Sequence, residues 1–540
     1  MNWRALFVLG FAQSLLTLDV ALGSISIRAV QEEFQTSIAS VHSIAAFYAL
    51  VAAALALTGG KLGDRWGRHR AFAIGMGLRT VGSLMSATAP NLLLFGIGEA
   101  VLEGIGMALV FPAIGSLAAS IFSEKDRVKA FAVIGACSAF AAGLGPVVGG
   151  WVTTEWSWRY ALGSEALFGL VVLLCSRWIP SVRPSGPKEP IDFAGVVLSA
   201  IGFALIVVGF QQAPKWGWFF NHSSPFSVFG LSLTPVVLLL GLGILTAFFV
   251  VESRRRMACA STVFDVTLLK SLHLNAVLGT SLGTQALSLG VLFIVPTYLQ
   301  IVAGKSAFES GLAMLPLAVA SFSMSLCIPR LQKWLDPRGL VLLGIGAMAT
   351  GLGILFWDVS PSILGEPTYL AMAIFGLGSG VMSGKLGAIT QSCVPENHRS
   401  SAAGLQCTAL NFGAAMGVSI LGSIMIAGLA IGMQGFISAE PTISNETREI
   451  TGAIIARGIP MLTTAQAREA IVRNGIPSAD HEKILALYAA AESRALEWAV
   501  AAAAALALLT AGVATLLPGR AKPSPTPGLF PVPNSKQGIS

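Results

Sequence analysis

Long uninterrupted runs of apolar residues constrain this chain more than any other feature. Each is long enough to cross a hydrocarbon layer about 30 Å thick as a helix of about 20 residues. Fourteen such runs stand in the 540 residues, roughly at 5–27, 39–60, 71–89, 92–118, 130–153, 160–181, 193–212, 229–251, 274–303, 310–329, 339–357, 367–391, 401–432 and 496–518. Backbone N–H and C=O groups find no water in lipid, so spans of this kind must satisfy them internally as helices. The expected fold is therefore an all-α integral membrane protein with fourteen transmembrane helices. Only 11% of residues are charged, where a soluble domain carries about 25%. That balance excludes a disordered chain, a secreted disulfide scaffold and an ordinary soluble enzyme.

The first run could be misread as a cleaved leader, since Arg4 precedes it and Ala21-Leu22-Gly23 resembles a small-residue cleavage site. Asp19 interrupts it, however, and removing it would leave the bundle incomplete. Cys137, Cys175, Cys259, Cys327, Cys393 and Cys407 are scattered in or beside spans with no CxxC pair, so neither a disulfide nor a metal is implied.

Basic residues fix the expected orientation, because cytoplasmic loops collect Lys and Arg. Loops after even-numbered runs hold Lys61, Arg65, Arg68, Arg70, Lys125, Arg127, Lys129, Arg177, Arg183, Lys188, Arg254, Arg255, Arg256, Lys270, Arg330, Lys333, Arg338 and Arg399. Short loops after odd-numbered runs hold only Arg28, Arg159, Lys215 and Lys305. Both termini are thus expected in the cytoplasm and the protein in the plasma membrane, and the net charge of +7 is a consequence of topology rather than of a nucleic-acid surface. The polar stretch of about 433–495 obeys the charge rule poorly because of its length, and it is placed outside. Within it Thr463-x-x-Gln466 reads as a capping box before a short helix, and Ser478 can cap another leading towards the last run. A spacer with two short surface helices is the expectation there, with a lid or docking surface as the alternative.

The chain repeats itself weakly. Gly60-x-Leu62-x-Asp64-Arg65-x-Gly67-Arg68 follows the second run, and Leu335-Asp336-Pro-Arg-Gly339 follows the tenth. Gly145-Pro146-x-x-Gly149-Gly150 in the fifth run corresponds to Gly413-x-x-x-Gly417 in the thirteenth, both small-residue faces that allow close helix approach. These correspondences divide the chain into a six-helix repeat at 1–181, two inserted helices with flanking loops at 182–272, a second six-helix repeat at 273–518 and a cytoplasmic tail at 519–540. Repeats of this kind place a substrate site at their interface near the membrane midplane.

These residues resemble the major facilitator superfamily, specifically its fourteen-helix drug:proton antiporter branch, and the resemblance covers nearly the whole chain. The stretch from Gly60 to Arg68 is similar to the superfamily's signature loop, which implies a cytoplasmic gate formed by Gly60, Asp64, Arg65, Gly67 and Arg68. The stretch ending Gly145-Pro146-x-x-Gly149-Gly150 is similar to the helix-5 antiporter motif, Leu18-Asp19 to the acidic motif of helix 1, and Pro296-Thr-Tyr298-Leu-Gln300 to helix 9 of this branch. Ala100 stands where the family's helix-4 motif has Arg, and Ser24 and Arg28 stand where helix 1 usually has Asn and Pro.

Ionised side chains at mid-membrane cost about 2.5–3.5 kcal/mol, so they normally face a cavity or a partner. Asp19, Glu99, Glu103 and Glu165 all fall inside first-repeat runs, opposed there by Arg79. One reading is a carboxylate-lined cavity that exchanges protons for a cationic substrate, with Tyr298, Gln300, Lys385 and Asn411 as candidate lining from the second repeat. The other is structural pairing of Arg79 with Glu99 or Glu103. Gly376-x-Gly378-x-Gly380 and Gly384-Lys385 imitate phosphate-binding motifs but lack their context, since Leu386 stands where a P-loop needs Ser or Thr. The sequence thus predicts no cofactor, no metal and no enzyme. It predicts a monomeric secondary transporter in the lipid bilayer that exports hydrophobic, cationic compounds such as drugs and antiseptics against protons by alternating access. A lipid or metabolite exporter of the same fold is the alternative, and a membrane-embedded enzyme or receptor a remote one.

Overall fold

The computed structural model describes residues 2–519 apart from Ser26, Ser37, 181–191, 220–230, 259–261, 263–264, 359–365, 458–460 and Thr463. Cys259, Arg183, Lys188 and the tail after Gly519 therefore lie outside the described residues. Helices account for nearly all of the described chain. The first group comprises α1 (Trp3–Ile25), the short α2 (Ile27–Glu33), α3 (Ile38–Trp66), α4 (Arg68–Ala87), α5 (Leu92–Gly96), a π-helical turn Ile97–Leu102, α6 (Glu103–Ile121), α7 (Glu124–Glu155) and α8 (Trp158–Cys175). A pair follows, α9 (Phe193–Trp216) and α10 (Leu233–Met257). The last group is α11 (Leu272–Ile301), α12 (Ala307–Leu331), α13 (Pro337–Asp358), α14 (Glu366–Ser392), α15 (Arg399–Ala439), α16 (Asn445–Arg457), α17 (Thr464–Arg473) and α18 (His481–Ala514).

Helix starts follow local chemistry, because the first backbone N–H groups of a helix need an acceptor. Asn91 accepts from Leu94 N at the start of α5, Asp192 from Gly195 N at α9, and Ser306 with Glu309 forms a reciprocal capping box at α12. Among the described residues eleven helices are long and apolar enough to cross a membrane, and Trp3–Leu18 forms a shorter apolar stretch. The fourteen runs read from the sequence include α4, which carries Arg68, His69, Arg70 and Arg79 within its 20 residues. Leu239, Leu242, Leu508 and Leu509 lie exposed on their helices, as a lipid-facing surface requires.

The packing follows the chain's two halves. α1 lies along α7, where Ser14 Oγ donates to Cys137 O at 3.0 Å, and α4 packs between α6 and α8. In the last group α11 pairs with α15, α14 sits against α12 and α13, and α18 closes on α11, α13 and α15. α9 and α10 pair with each other and reach the rest through α3 and α15. The two groups meet along α7 with α12 and α14, and along α3 and α6 with α15. Glycine makes these approaches close. Gly376 and Gly380 lie directly on the backbone of α12, Gly378 on that of α13, and Gly413 and Gly417 on that of α11. The Gly-x-Gly series in α14 is therefore helix packing.

The stretch between α15 and α18 differs from the expected spacer. α15 runs on to Ala439, α16 forms where no helix signal stood out, and α18 begins at His481, continuous with its apolar part. Ile443, Ala467, Ile471, Ile476 and Ile484 are buried together with the core of the second half, so this segment is a packed cap. Asp480 pins it: its carboxylate accepts from Thr447 Oγ1 at 2.7 Å and Ser444 Oγ at 2.9 Å. These bonds, Thr447 first, hold the Asp480 carboxyl below the usual carboxylate range.

Candidate functional site: a basic-face gate and a buried charge cluster

The basic-face gate grows from the turn between α3 and α4. Gly67 has φ +96°, a left-handed conformation that residues with a Cβ rarely adopt, and it lets α3 end and α4 start at once. That turn aims Asp64 and Arg68 at the start of α15. Ser401 Oγ donates to Asp64 Oδ2 at 3.2 Å, while Arg68 lies 3.8 Å from the same carboxylate. Arg68 donates through Nε to Ser400 Oγ at 3.2 Å, through Nη2 to Glu396 O at 2.7 Å, and through Nη1 to Ser120 Oγ on α6. Arg399 donates from the first residue of α15 to Ala119 O at 3.2 Å. A carboxylate at a helix N-terminus also meets the positive end of the helix dipole.

Two glycines bring the backbones together there. A Cβ on Gly60 would lie 2.6 Å from Ser400 O, and one on Gly404 2.8 Å from Ala56 O. A second seam holds α7 to α14, where a Cβ on Gly135 would lie 2.6 Å from Ser383 O, and to α12, where Ser325 Oγ donates to Ala132 O at 2.9 Å. The two halves are thus closed against each other on the basic face. Burial pushes the Asp64 carboxyl upward, opposed by Ser400, Arg68 and Ser401. Desolvation therefore opposes the attraction within this contact. Lys61 and Arg65 share this turn with them.

Further along α4 lies the buried charge cluster. Arg79 Nη2 approaches Glu103 Oε2 at 3.4 Å, both side chains being buried. The reason is again close packing: a Cβ on Gly106 would strike Arg79 Cγ at 2.5 Å, and one on Gly82 would meet Glu103 Cγ at 2.7 Å and Gly98 O at 2.8 Å. The connection from α5 to α6 takes a π-helical turn against α4, and Glu99 is buried within it. The same-face spacing of Glu99 and Glu103 expected from a regular helix is interrupted by this wider turn. Glu165 is buried on α8, which packs on the opposite flank of α4. Ala100, also in the π-helical turn, is buried and leaves Arg79 to supply the guanidinium at this level.

The remaining candidates are not gathered at one point. Asp19 is on α1, but its side chain lies outside the described residues, as do those of Pro146 and Gly150. Gly145 and Gly149 are buried on α7, and the tightest approach to α12 is made by Gly143, whose Cβ would overlap Ala318. Tyr298 is buried on α11 with its hydroxyl 3.0 Å from Ser493 Oγ, whereas Gln300 is exposed. Lys385 donates to Gln332 Oε1 at 2.9 Å, and Asn411 Nδ2 donates to Cys407 O in its own helix. Ser400, Ser401, Glu396 and Ser120 were not singled out in the sequence. The Ser pair at the start of the thirteenth run was the available signal.

An apolar helical bundle in two interlocked halves, with a glycine-tight seam and charges inside, defines a multi-pass membrane transporter of small molecules. The chain belongs to the Major Facilitator Superfamily, whose family model matches residues 6–418. It is 30% identical over 476 residues to the puromycin resistance protein pur8 of Streptomyces alboniger, covering 86% of this chain and 90% of the relative. It is 29% identical to the multidrug efflux pump LfrA of Mycolicibacterium smegmatis, covering 91% and 95% respectively. Among solved structures it is similar to the proton:xylose symporter XylE, with a TM-score of 0.53 at 16% identity over 77% of this chain and 87% of that one. A transporter of this family is not an enzyme.

Proposed function

We propose that this chain exports hydrophobic, cationic drugs or antiseptics from the cell in exchange for protons. In this reading it is a monomer in the plasma membrane with fourteen spans and both termini in the cytoplasm. Residues 1–181 and 273–518 rock against each other, and the α9–α10 pair stands between them in the chain. The likeness to resistance and efflux proteins supports drugs as the cargo class. The observation that carries the coupling reading is the burial of Glu99, Glu103 and Glu165 in helical segments packed around α4, with Glu103 3.4 Å from the guanidinium of Arg79. Such a set would attract a cation and supply carboxyl groups for proton exchange, since ionisable groups within a membrane normally face a cavity or a partner. Together with Asp19, an acid of the same repeat, this set would carry the exchanged protons.

In the described geometry the basic face is shut, the arrangement needed when the cavity is offered to the other side. Protonation from outside and release of the cargo would then precede separation of Asp64 and Arg68 from α15. The test is accumulation of an organic-cation dye in cells expressing the chain, with and without a protonophore. Lower accumulation that the protonophore abolishes supports the reading. Unchanged dye levels alongside increased lipid release would replace it with lipid export.

A further inference from the structure

The cap formed by α16 and α17 is held over the second half by a site that neither the gate nor the charge cluster uses. α18 has 34 residues, roughly 50 Å at 1.5 Å per residue, while the hydrocarbon layer spans about 30 Å. Its first turns, before the apolar run 496–518, therefore stand outside the membrane, beneath the cap. Glu492 sits there and is buried, 4% exposed. Its carboxyl group bonds to Tyr488, one turn earlier, while Oε1 has no hydrogen-bond partner among the described residues. The Tyr488 hydroxyl in turn accepts from Leu462 N at 2.8 Å, the main-chain link to the connection that leads into α17.

Among the described residues the surroundings hold no counter-ion for Glu492. On α18 Arg494 is turned to Glu497 at 3.9 Å, and Arg468 of α17 is paired with Glu482 at 2.9 Å. α11 contributes Tyr298, whose hydroxyl is engaged with Ser493. No described Lys, Arg or His side chain from α11, α13, α15 or α17 lies within 4.0 Å of the carboxyl group. A buried anion with one oxygen unsatisfied is far costlier than a neutral carboxylic acid in the same place, even with the acid's own hydroxyl unpartnered. We propose that Glu492 is a proton-binding site that clamps the cap: the neutral acid stays beneath Tyr488, and loss of the proton drives the carboxylate to water and frees the Leu462 contact. Burial pushes this carboxyl up to about 8, in keeping with the geometry.

The sign follows from linkage. With the cap closed the group keeps its proton up to about 8, and with the cap open it releases it near the ordinary Glu value of about 4.3, so the open state binds fewer protons in between. The Glu492 contribution to clamping is complete below about pH 4 and is lost as pH rises, the opening constant growing about tenfold per pH unit until it levels off above about pH 8. The purified full-length protein can be followed by hydrogen exchange of peptides covering Leu462, corrected for the intrinsic pH dependence of exchange. The wild type should show that rise between pH about 5 and about 8, and Glu492→Gln should remain protected and flat. Tyr488→Phe should lose protection of Leu462 at every pH. A flat wild-type profile overturns the proposal without any variant, and so does an equal rise in Glu492→Gln or full protection in Tyr488→Phe.

Discussion

Arg79 and Glu103 offer a quantitative test of how the charge cluster is built. Both side chains are buried and sit 3.4 Å apart in a seam where Gly82 and Gly106 leave no room for relaxation. Removing one partner breaks a buried ion pair, which costs about 3–5 kcal/mol. Replacing both with apolar groups of similar volume removes the desolvation penalty as well, and such replacements are often neutral or stabilising by about 1–4 kcal/mol. Arg79→Met and Glu103→Leu should therefore each lower stability by about 3 kcal/mol or more, and the double variant should recover most of the loss, a coupling well above the error of additivity. The assay is reversible denaturant unfolding in detergent micelles followed by tryptophan fluorescence, with surface expression as a control. Single variants within about 0.5 kcal/mol of wild type, or a double variant that loses the sum of the two, would refute the buried-pair assignment.

Three further outcomes follow from the packing. Asp64→Asn removes a charged acceptor from Ser401 and Arg68, worth about 1.5–3 kcal/mol in a charge-assisted bond but offset by burial, so turnover should fall severalfold at unchanged expression; normal transport would sink the gate assignment. Gly143→Leu should wedge α7 from Ala318 of α12 and abolish transport while the protein still reaches the membrane, and normal turnover would show that this seam does not carry the motion. Asp480→Ala should free the cap, seen as faster proteolysis within 440–480. In the wild type the same loosening should appear on acidification, because Asp480 is held low and its contribution, present above its unfolded value of about 3.9, is lost as pH falls through the lower folded one. A cap equally resistant at all pH values and in the variant would contradict this.

What was legible in the sequence was what local chemistry determines. Apolar runs gave the helices, and the turn from Asp64 to Gly67 was readable through its resemblance to the superfamily's signature loop, with Gly67 at the left-handed position. The partners of that turn were not, since Ser401 lies 337 positions from Asp64 and only the closure of the two halves brings them together. The π-helical turn at Ile97–Leu102 has no local signal in the sequence, and it lies where Gly82 and Gly98 bring two helices into close backbone approach. The sequence offers Arg79 two glutamates as partners, and the structure brings Glu103 to 3.4 Å from it. Glu492 was missed because it precedes an apolar run in a polar stretch, where a carboxylate ordinarily faces water. The cap was read as a spacer for the same reason, its buried isoleucines being too widely spaced to announce a core.

Proton-coupled export is most directly tested in proteoliposomes containing the purified chain and an imposed pH gradient, with organic-cation dye and lumenal pH recorded together. Adding dye on the side from which it is exported should move protons the other way, and Asp19→Asn should abolish uphill dye movement. Dye transport with no accompanying proton flux, or proton-driven transport that persists when Asp19, Glu99, Glu103 and Glu165 are all neutralised, would contradict it.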